Sequence, residues 1–245
     1  MKVHRIAYRK TGYFSKLICD YLDGNKAVTP FFGNEPTLDG FDSQIKAKSN
    51  FDSNNRKVLV NALAKQYQDV EVSAATQENI AVLSQSNSFT ITTGHQLNIF
   101  TGPLYFLYKI ITVIKLAERL KETYPDKNFV PMYWMATEDH DYEEIQYFNY
   151  NESKINWDRE ASGAVGRLST AGAQEVLDEF ESFLDDSLNA KYLKELFTEA
   201  YVKHGTLTAA TRYLVNELFS EYGLVIIDGD DAALKSVFKA QVREE

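Results

Sequence analysis

From Ser88 onward the spacing of apolar residues switches between two periods, and the switches mark out elements. Phe89-Thr90-Ile91-Thr92-Thr93 is a short β-branched run that predicts a strand ending at Gly94. Leu107, Ile110, Ile111, Ile114, Leu116 and Leu120 follow at helical spacing, separated by Lys115, Glu118, Arg119 and Lys121. They predict a helix over 104–124 with one broad apolar face. Pro103 suits its first turn, where a missing N–H does no harm. Phe129 to Ala136 is a second largely apolar run. Strand, helix and strand within roughly 45 residues read as a βαβ unit, right-handed and parallel.

The pattern continues less regularly. Ile145, Tyr147, Ile155 and Trp157 predict a hairpin or short extra strands over 144–161. Amphipathic helices are predicted over 173–184, 191–201 and 208–222, the last ended by Gly223 as a C-cap. Leu224-Val225-Ile226-Ile227-Asp228 is a third strand with an acid at its end. A helix beginning at Ala232 runs to Glu245 without a stop signal, which is expected of an amino-terminal portion of a longer protein. Residues 1–85 read differently, as a partly helical lead-in packing on a core of 86–245. Within it, 33–40 is loop chemistry, and Asp52 or Ser53 caps a helix through 56–63. Another helix begins near Thr76, with Ile80 and Leu83 inward. The predicted class is α/β with a parallel sheet flanked by helices.

Composition narrows the functions. A hydrophobic share of 44% with 25% charged residues is that of an ordinary globular protein. Fifteen Tyr and fifteen Phe point to buried aromatic layers. The formal charge of -9 lacks the basic footprint that nucleic acid requires. No apolar run approaches a membrane span, and Met1 to Arg5 does not open a secretory signal. The single cysteine, Cys19, excludes an internal disulfide, fits a cytoplasmic setting and reads as a packed thiol.

Two polar clusters follow the first two strands. Ligands of open α/β sheets bind where loops leave the carboxyl ends of strands, so these clusters form the candidate site. The first, Thr93-Gly94-His95-Gln96 with Asn98, Thr101 and Gly102, precedes a helix amino terminus. Free N–H groups there favour a phosphate or carboxylate; the alternative is a tight turn with capping polar residues. Neither the dinucleotide fingerprint nor the Walker lysine motif is present. The second, Glu138-Asp139-His140-Asp141, places three carboxylates around one imidazole. It reads as a general base with raised basicity, a divalent-ion site, or a solvated capping turn. Asp228 ends the third strand on the same edge, facing substrate or forming a turn.

These stretches resemble a known family. Thr93-Gly94-His95-Gln96, then Thr101-Gly102-Pro103-Leu104-Tyr105 and Tyr108-Lys109, then Tyr133-Trp134-Met135-Ala136-Thr137-Glu138-Asp139-His140-Asp141, are similar to the cysteine ligase family of bacillithiol biosynthesis. Glu221-Tyr222-Gly223-Leu224-Val225-Ile226-Ile227-Asp228 resembles a third stretch of it. The resemblance is dense over 85–245 and weak before that. It implies a Rossmann-like core related to class I aminoacyl-tRNA synthetases. The implied activity joins cysteine to glucosaminyl malate through an amide bond. ATP or ADP, with Mg, is implied as the cofactor, and a coiled coil in longer members implies a homodimer. Neither nucleic acid nor membrane is an expected partner. By this resemblance Thr93, Gly94, His95 and Gln96 hold phosphates or a developing acyl charge, although family members commonly carry Gln at the position of His95. Thr101 and Gly102 shape the anion pocket, Asn98 and Trp134 line the ligand site, and Lys109 points into it or is a surface cation. Glu138, Asp139, His140 and Asp141 bind the substrate amine or act as base. Two rivals stay open at the level of sequence: a metal-dependent amidase or hydrolase, and a nucleotide- or metabolite-binding module without catalysis.

Overall fold

The computed structural model describes Lys2 and residues 4–244. The chain divides into two compact units, Met1–Asn50 and Phe51–Glu245. The first holds α1 (Tyr8–Thr11), α2 (Lys16–Leu22) and α3 (Leu38–Lys48). Helix α3 begins at Leu38, so Gly40 is helical and the expected loop over 33–40 is shorter. Cys19 is buried in α2, as its apolar neighbours suggest.

The second unit starts with α4 (Ser53–Gln66) and α5 (Ala74–Val82). The expected boundary near residue 85 therefore falls inside this unit, and both helices pack on its sheet. Asp52 caps α4 by accepting from the Asn54 N–H. Ser73, not Thr76, caps α5. Thr76 is fully buried one turn in, and its hydroxyl donates to the carbonyls of Ser220 and Leu224. The sequence pattern misplaced this start because a buried threonine and a capping threonine look alike in one dimension.

The core is the βαβ unit. Strand β1 (Ser88–His95) leads through a short loop to α6 (Tyr105–Thr123) and back to β2 (Asn128–Met135), parallel to β1. Ile110, Val113, Ile114, Ala117 and Leu120 form the buried stripe of α6. After β2 come α7 (Tyr142–Ile145) and the antiparallel hairpin β3 (Tyr147–Tyr150) with β4 (Ser153–Asn156). Three helices follow, α8 (Ala173–Glu181), α9 (Leu188–Lys203) and α10 (Leu207–Phe219). Strand β5 (Val225–Asp228) then completes a parallel sheet in the order β1-β2-β5. Gly223 precedes it at φ 71°, the left-handed conformation of a helix C-cap. The tail from Ala232 is not one helix: α11 (Ala232–Ser236) and α12 (Lys239–Glu244) are separated at Val237-Phe238.

Pro131 stands in β2 although proline cannot donate to a ladder. The placement is tolerated because β5 pairs only with Met132–Met135, so β2 is still an edge on that side at Pro131. The other local oddity is the loop from β1 to α6. Phe100 and Thr101 take positive φ, 49° and 70°, and Gly102 follows at 54°. Each non-glycine residue held there costs on the order of 1–3 kcal/mol. Phe100 is fixed by packing among Phe148, Phe180, Phe197 and Tyr201, and its N–H donates to the Tyr201 hydroxyl at 2.9 Å.

Phe100→Ala should lower stability by about 3–5 kcal/mol, because it empties the aromatic cluster while leaving the strained backbone in place. Urea unfolding with an unchanged m-value checks this; a loss below about 1 kcal/mol would show that the cluster does not hold the loop.

Candidate active site

Parallel pairing in register sets His95 beside Met135, and the Ala136 N–H extends the ladder to the His95 carbonyl at 3.1 Å. The segments Gly94-His95-Gln96 and Ala136 to Asp141 therefore leave the sheet side by side. Gln96 joins them. Its Nε2 donates to Asp139 Oδ2 at 3.0 Å and to Glu144 Oε2 at 2.6 Å, using both amide protons. The two sequence clusters thus meet through one side chain.

A cleft of about 480 Å³ opens over this junction, lined by Gly94, His95, Gln96, Tyr105, Lys109, Trp134 and Ala136. His95 is buried at its wall, with the Tyr105 and Phe106 rings beside it. Burial holds its pKa below the ordinary 6.5, opposed in part by the bond to the Gln96 carbonyl and helped to a lesser degree by nearby Lys109. Nδ1 lies 2.9 Å from that carbonyl, so the neutral ring donates from Nδ1 and keeps an acceptor at Nε2. The Lys109 ammonium reaches over to donate to the Gly94 carbonyl. A Cβ on Gly94 would come no closer than 3.8 Å to the protein. Packing does not demand glycine there; its bareness leaves the strand end open to the cleft. That opening, beside a lysine, fits a small anionic group such as a phosphate.

The acidic cluster divides. Asp139 lines neither cleft and reaches the first through Gln96: the Asp141 N–H and then Gln96 donate to it and hold its carboxyl below the usual range. Asp141 is exposed and caps α7 by accepting from the Glu144 N–H at 3.2 Å. His140 is also exposed. Glu138 turns to a separate cavity that it shares with Trp134 and Gly229. In the first loop, Asn98, Thr101 and Gly102 line a second cleft together with Gln96, not the one that holds His95. Thr93 is a strand residue paired with Tyr133 and lines neither cleft.

Asp228 lies at the same sheet edge but not in the His95 cleft. Its carboxylate accepts from the Thr137 hydroxyl and from the Asp230 N–H. Its backbone is clamped by Gln66, which accepts from the Asp228 N–H at 2.8 Å and donates to the Asp228 carbonyl at 3.2 Å. Arg212, buried over the Tyr67 ring, donates to Gln66 and to the Ile226 carbonyl. Asp230 is paired with Lys235 and Arg167, which lower its pKa in that order. Sequence reasoning assigned no role to Gln66, Arg212 or Glu144. For Gln66 and Arg212 the available signal was polar residues on inward helix positions, which have no partner until the fold brings one 146 residues away. Among the described residues no group of three His, Cys, Asp or Glu side chains converges as a metal ion requires. No described helix is long and apolar enough to cross a membrane.

A parallel α/β sheet carrying a polar cleft at its carboxyl edge defines a Rossmann-like domain. The model of the bacillithiol biosynthesis BshC N-terminal Rossmann-like domain matches residues 1–245, and the chain belongs to this family. A protein of Flavobacterium johnsoniae named putative cysteine ligase BshC is 56% identical over 98% of this chain and 46% of its own length. One of the same name from Christiangramia forsetii is 47% identical over 100% and 46%, and one from Shouchella clausii is 30% identical over 96% and 45%. The chain spans about half the length of the curated relatives it matches.

The His95 geometry predicts a pH effect. As pH falls below 6.5 the unfolded chain binds the proton before the folded one. The contribution of His95 to stability is therefore full above 6.5 and lost as pH falls through the folded value. Histidine NMR titration should place His95 below 6.5; a midpoint at or above 6.5 contradicts the buried neutral ring.

Proposed function

We propose that the whole protein is a ligase that joins cysteine to glucosaminyl malate through an amide bond. The observation that carries this reading is the Gln96 amide held between Asp139 and Glu144, which sets the open cleft beside Lys109 next to two carboxylates. Amide formation needs two things close together: an activated carboxyl group and an amine that can lose a proton. The family relatives named as cysteine ligases support the same reaction class.

In this reading a nucleoside triphosphate, when bound, supplies the leaving group that makes the cysteine carboxylate acylating. Gly94 gives it room and Lys109 supplies positive charge. Asp139 is a poor base because its carboxyl is held low, so its part is to hold the substrate ammonium. His140, on the same turn, takes the proton as the C–N bond forms and the activated C–O bond breaks. His95 orients groups by hydrogen bonding; a glutamine can do the same. A divalent ion would come with the nucleotide; among the described residues no group of three His, Cys, Asp or Glu side chains converges on one.

Incubating the whole protein with cysteine, glucosaminyl malate and Mg-ATP, and following the thiol product by mass spectrometry, tests the reading. Product is expected with the native protein. His95→Gln should keep activity within about tenfold, while Asp139→Ala should lose on the order of 100-fold. Ligand binding without product would favour a sensing module, and product undiminished in Asp139→Ala would remove the acidic cluster from the site.

A further inference from the structure

A further cavity, of about 360 Å³, lies between α4 and the turn that joins α5 to β1. Both charged residues of its lining, Arg56 and Lys57, are cations, and no carboxylate lines it. In a chain of formal charge -9 such a lobe runs against the composition. Ser53, Lys57 and Asn61 recur at helical spacing along one face of α4, and Ser86 faces them from the turn. These four residues are exposed, and none has a side-chain hydrogen bond or ion pair among the described residues. Phe51 and Val60 supply the apolar part of the wall.

Arg56 is the buried member, only 9% exposed. Its Nη1 donates to the carbonyls of Leu83 and Ser88 at 2.9 and 3.3 Å, and its Cζ stands 5.5 Å from the centre of the Phe51 ring. These contacts fix the guanidinium but bring it no counter-charge. Of its five N–H donors, those on Nε and Nη2 have no partner among the described residues. Nε and Nη2 form one edge of the planar fork, the edge that takes two oxygens of an oxyanion side by side. A cation held out of water without a counter-charge is costly, and an arriving anion offsets that cost. Arg56 grips the first residue of β1, whereas His95 is the last of its eight. At the rise of an extended strand the two sites stand roughly 20 Å apart.

We propose that this cavity is a second binding site, for a phosphate monoester held by Arg56, Lys57, Ser53 and Ser86. A phosphoryl group carries a charge of about -1.5 to -2 and three acceptor oxygens. That charge balances one guanidinium and one ammonium. Three oxygens arranged around phosphorus can meet the Arg56 edge, the Lys57 ammonium and the serine hydroxyls together, which the two coplanar oxygens of a carboxylate cannot. The carbon part of the ester lies against Phe51 and Val60, and the cavity is of the size of small-ligand clefts. The site stands independently of the ligase reading.

Isothermal titration and hydrogen-exchange mass spectrometry of the whole protein with glycerol 3-phosphate, inorganic phosphate and acetate test the proposal. Glycerol 3-phosphate should bind at least as tightly as phosphate and slow exchange over residues 83–88, and acetate should do neither. Lys57→Ala and Ser86→Asp, both at exposed positions, should each weaken glycerol 3-phosphate by about tenfold with circular dichroism unchanged. Lys109→Ala, in the His95 cleft, should leave the protection over 83–88 in place. Native affinity in both Lys57→Ala and Ser86→Asp, or no protection over 83–88, would overturn the site. Binding of phosphate without the ester would overturn the ester, and equal binding of acetate would overturn the phosphoryl group. None of these readouts depends on amide formation, so failure of the ligase reading would leave them unchanged.

Discussion

The pairing of β1 with β2 in parallel register is the constraint on which the rest of the site depends. It carries His95 level with Met135 and passes directly into the Ala136 bond to the His95 carbonyl. Because both strands end at the same height, two loops far apart in sequence emerge within reach of one glutamine side chain. A slip of one residue would turn Gly94 and His95 to opposite faces and separate Gln96 from Asp139. The stripe of α6 residues buried against both strands opposes that slip, since it fits only one register of the sheet beneath.

Gln96 is then the hinge of the chemistry. One amide spans Asp139 and Glu144, and its backbone carbonyl holds the His95 ring. The result is a cleft with a neutral imidazole and a lysine in its wall, and two carboxylates bonded to the glutamine that lines it. A second consequence is strain. The chain must turn sharply between the His95 cleft and α6, and it does so with two consecutive non-glycine residues at positive φ. The cost is offset by packing Phe100 into an aromatic cluster drawn from β3, α8 and α9. Those later elements thereby support a loop that the βαβ unit alone would not hold in this form.

Much of this was legible in the sequence, and the reasons are local. The β-branched run at Phe89–Thr93, the helical spacing from Leu107 to Leu120 and the stop at Gly223 each state their structure within a few residues. That the two polar clusters adjoin was legible because loops at strand ends converge in any parallel sheet. What stayed hidden depends on distant partners. Gln66 and Arg212 are polar residues on buried helix faces, and their purpose is set by β5. Asp228 read as facing substrate or forming a turn, and the choice waited on Thr137 and the Asp230 N–H, which donate to its carboxylate. Thr101 and Gly102 looked continuous with the His95 loop. The left-handed turn sends them to another cleft, and no composition rule announces such a turn at Phe100.

The central claim is that the loop after β1 and the acidic loop after β2 act as one unit through Gln96. A double-mutant cycle of Gln96→Ala and Asp139→Ala, read as kcat/KM of the whole protein, measures that directly. The account predicts that the double variant is impaired little more than the worse single variant, a coupling on the order of 1–3 kcal/mol. Losses that simply add, within about 0.5 kcal/mol, would show that the two loops work independently and would contradict it.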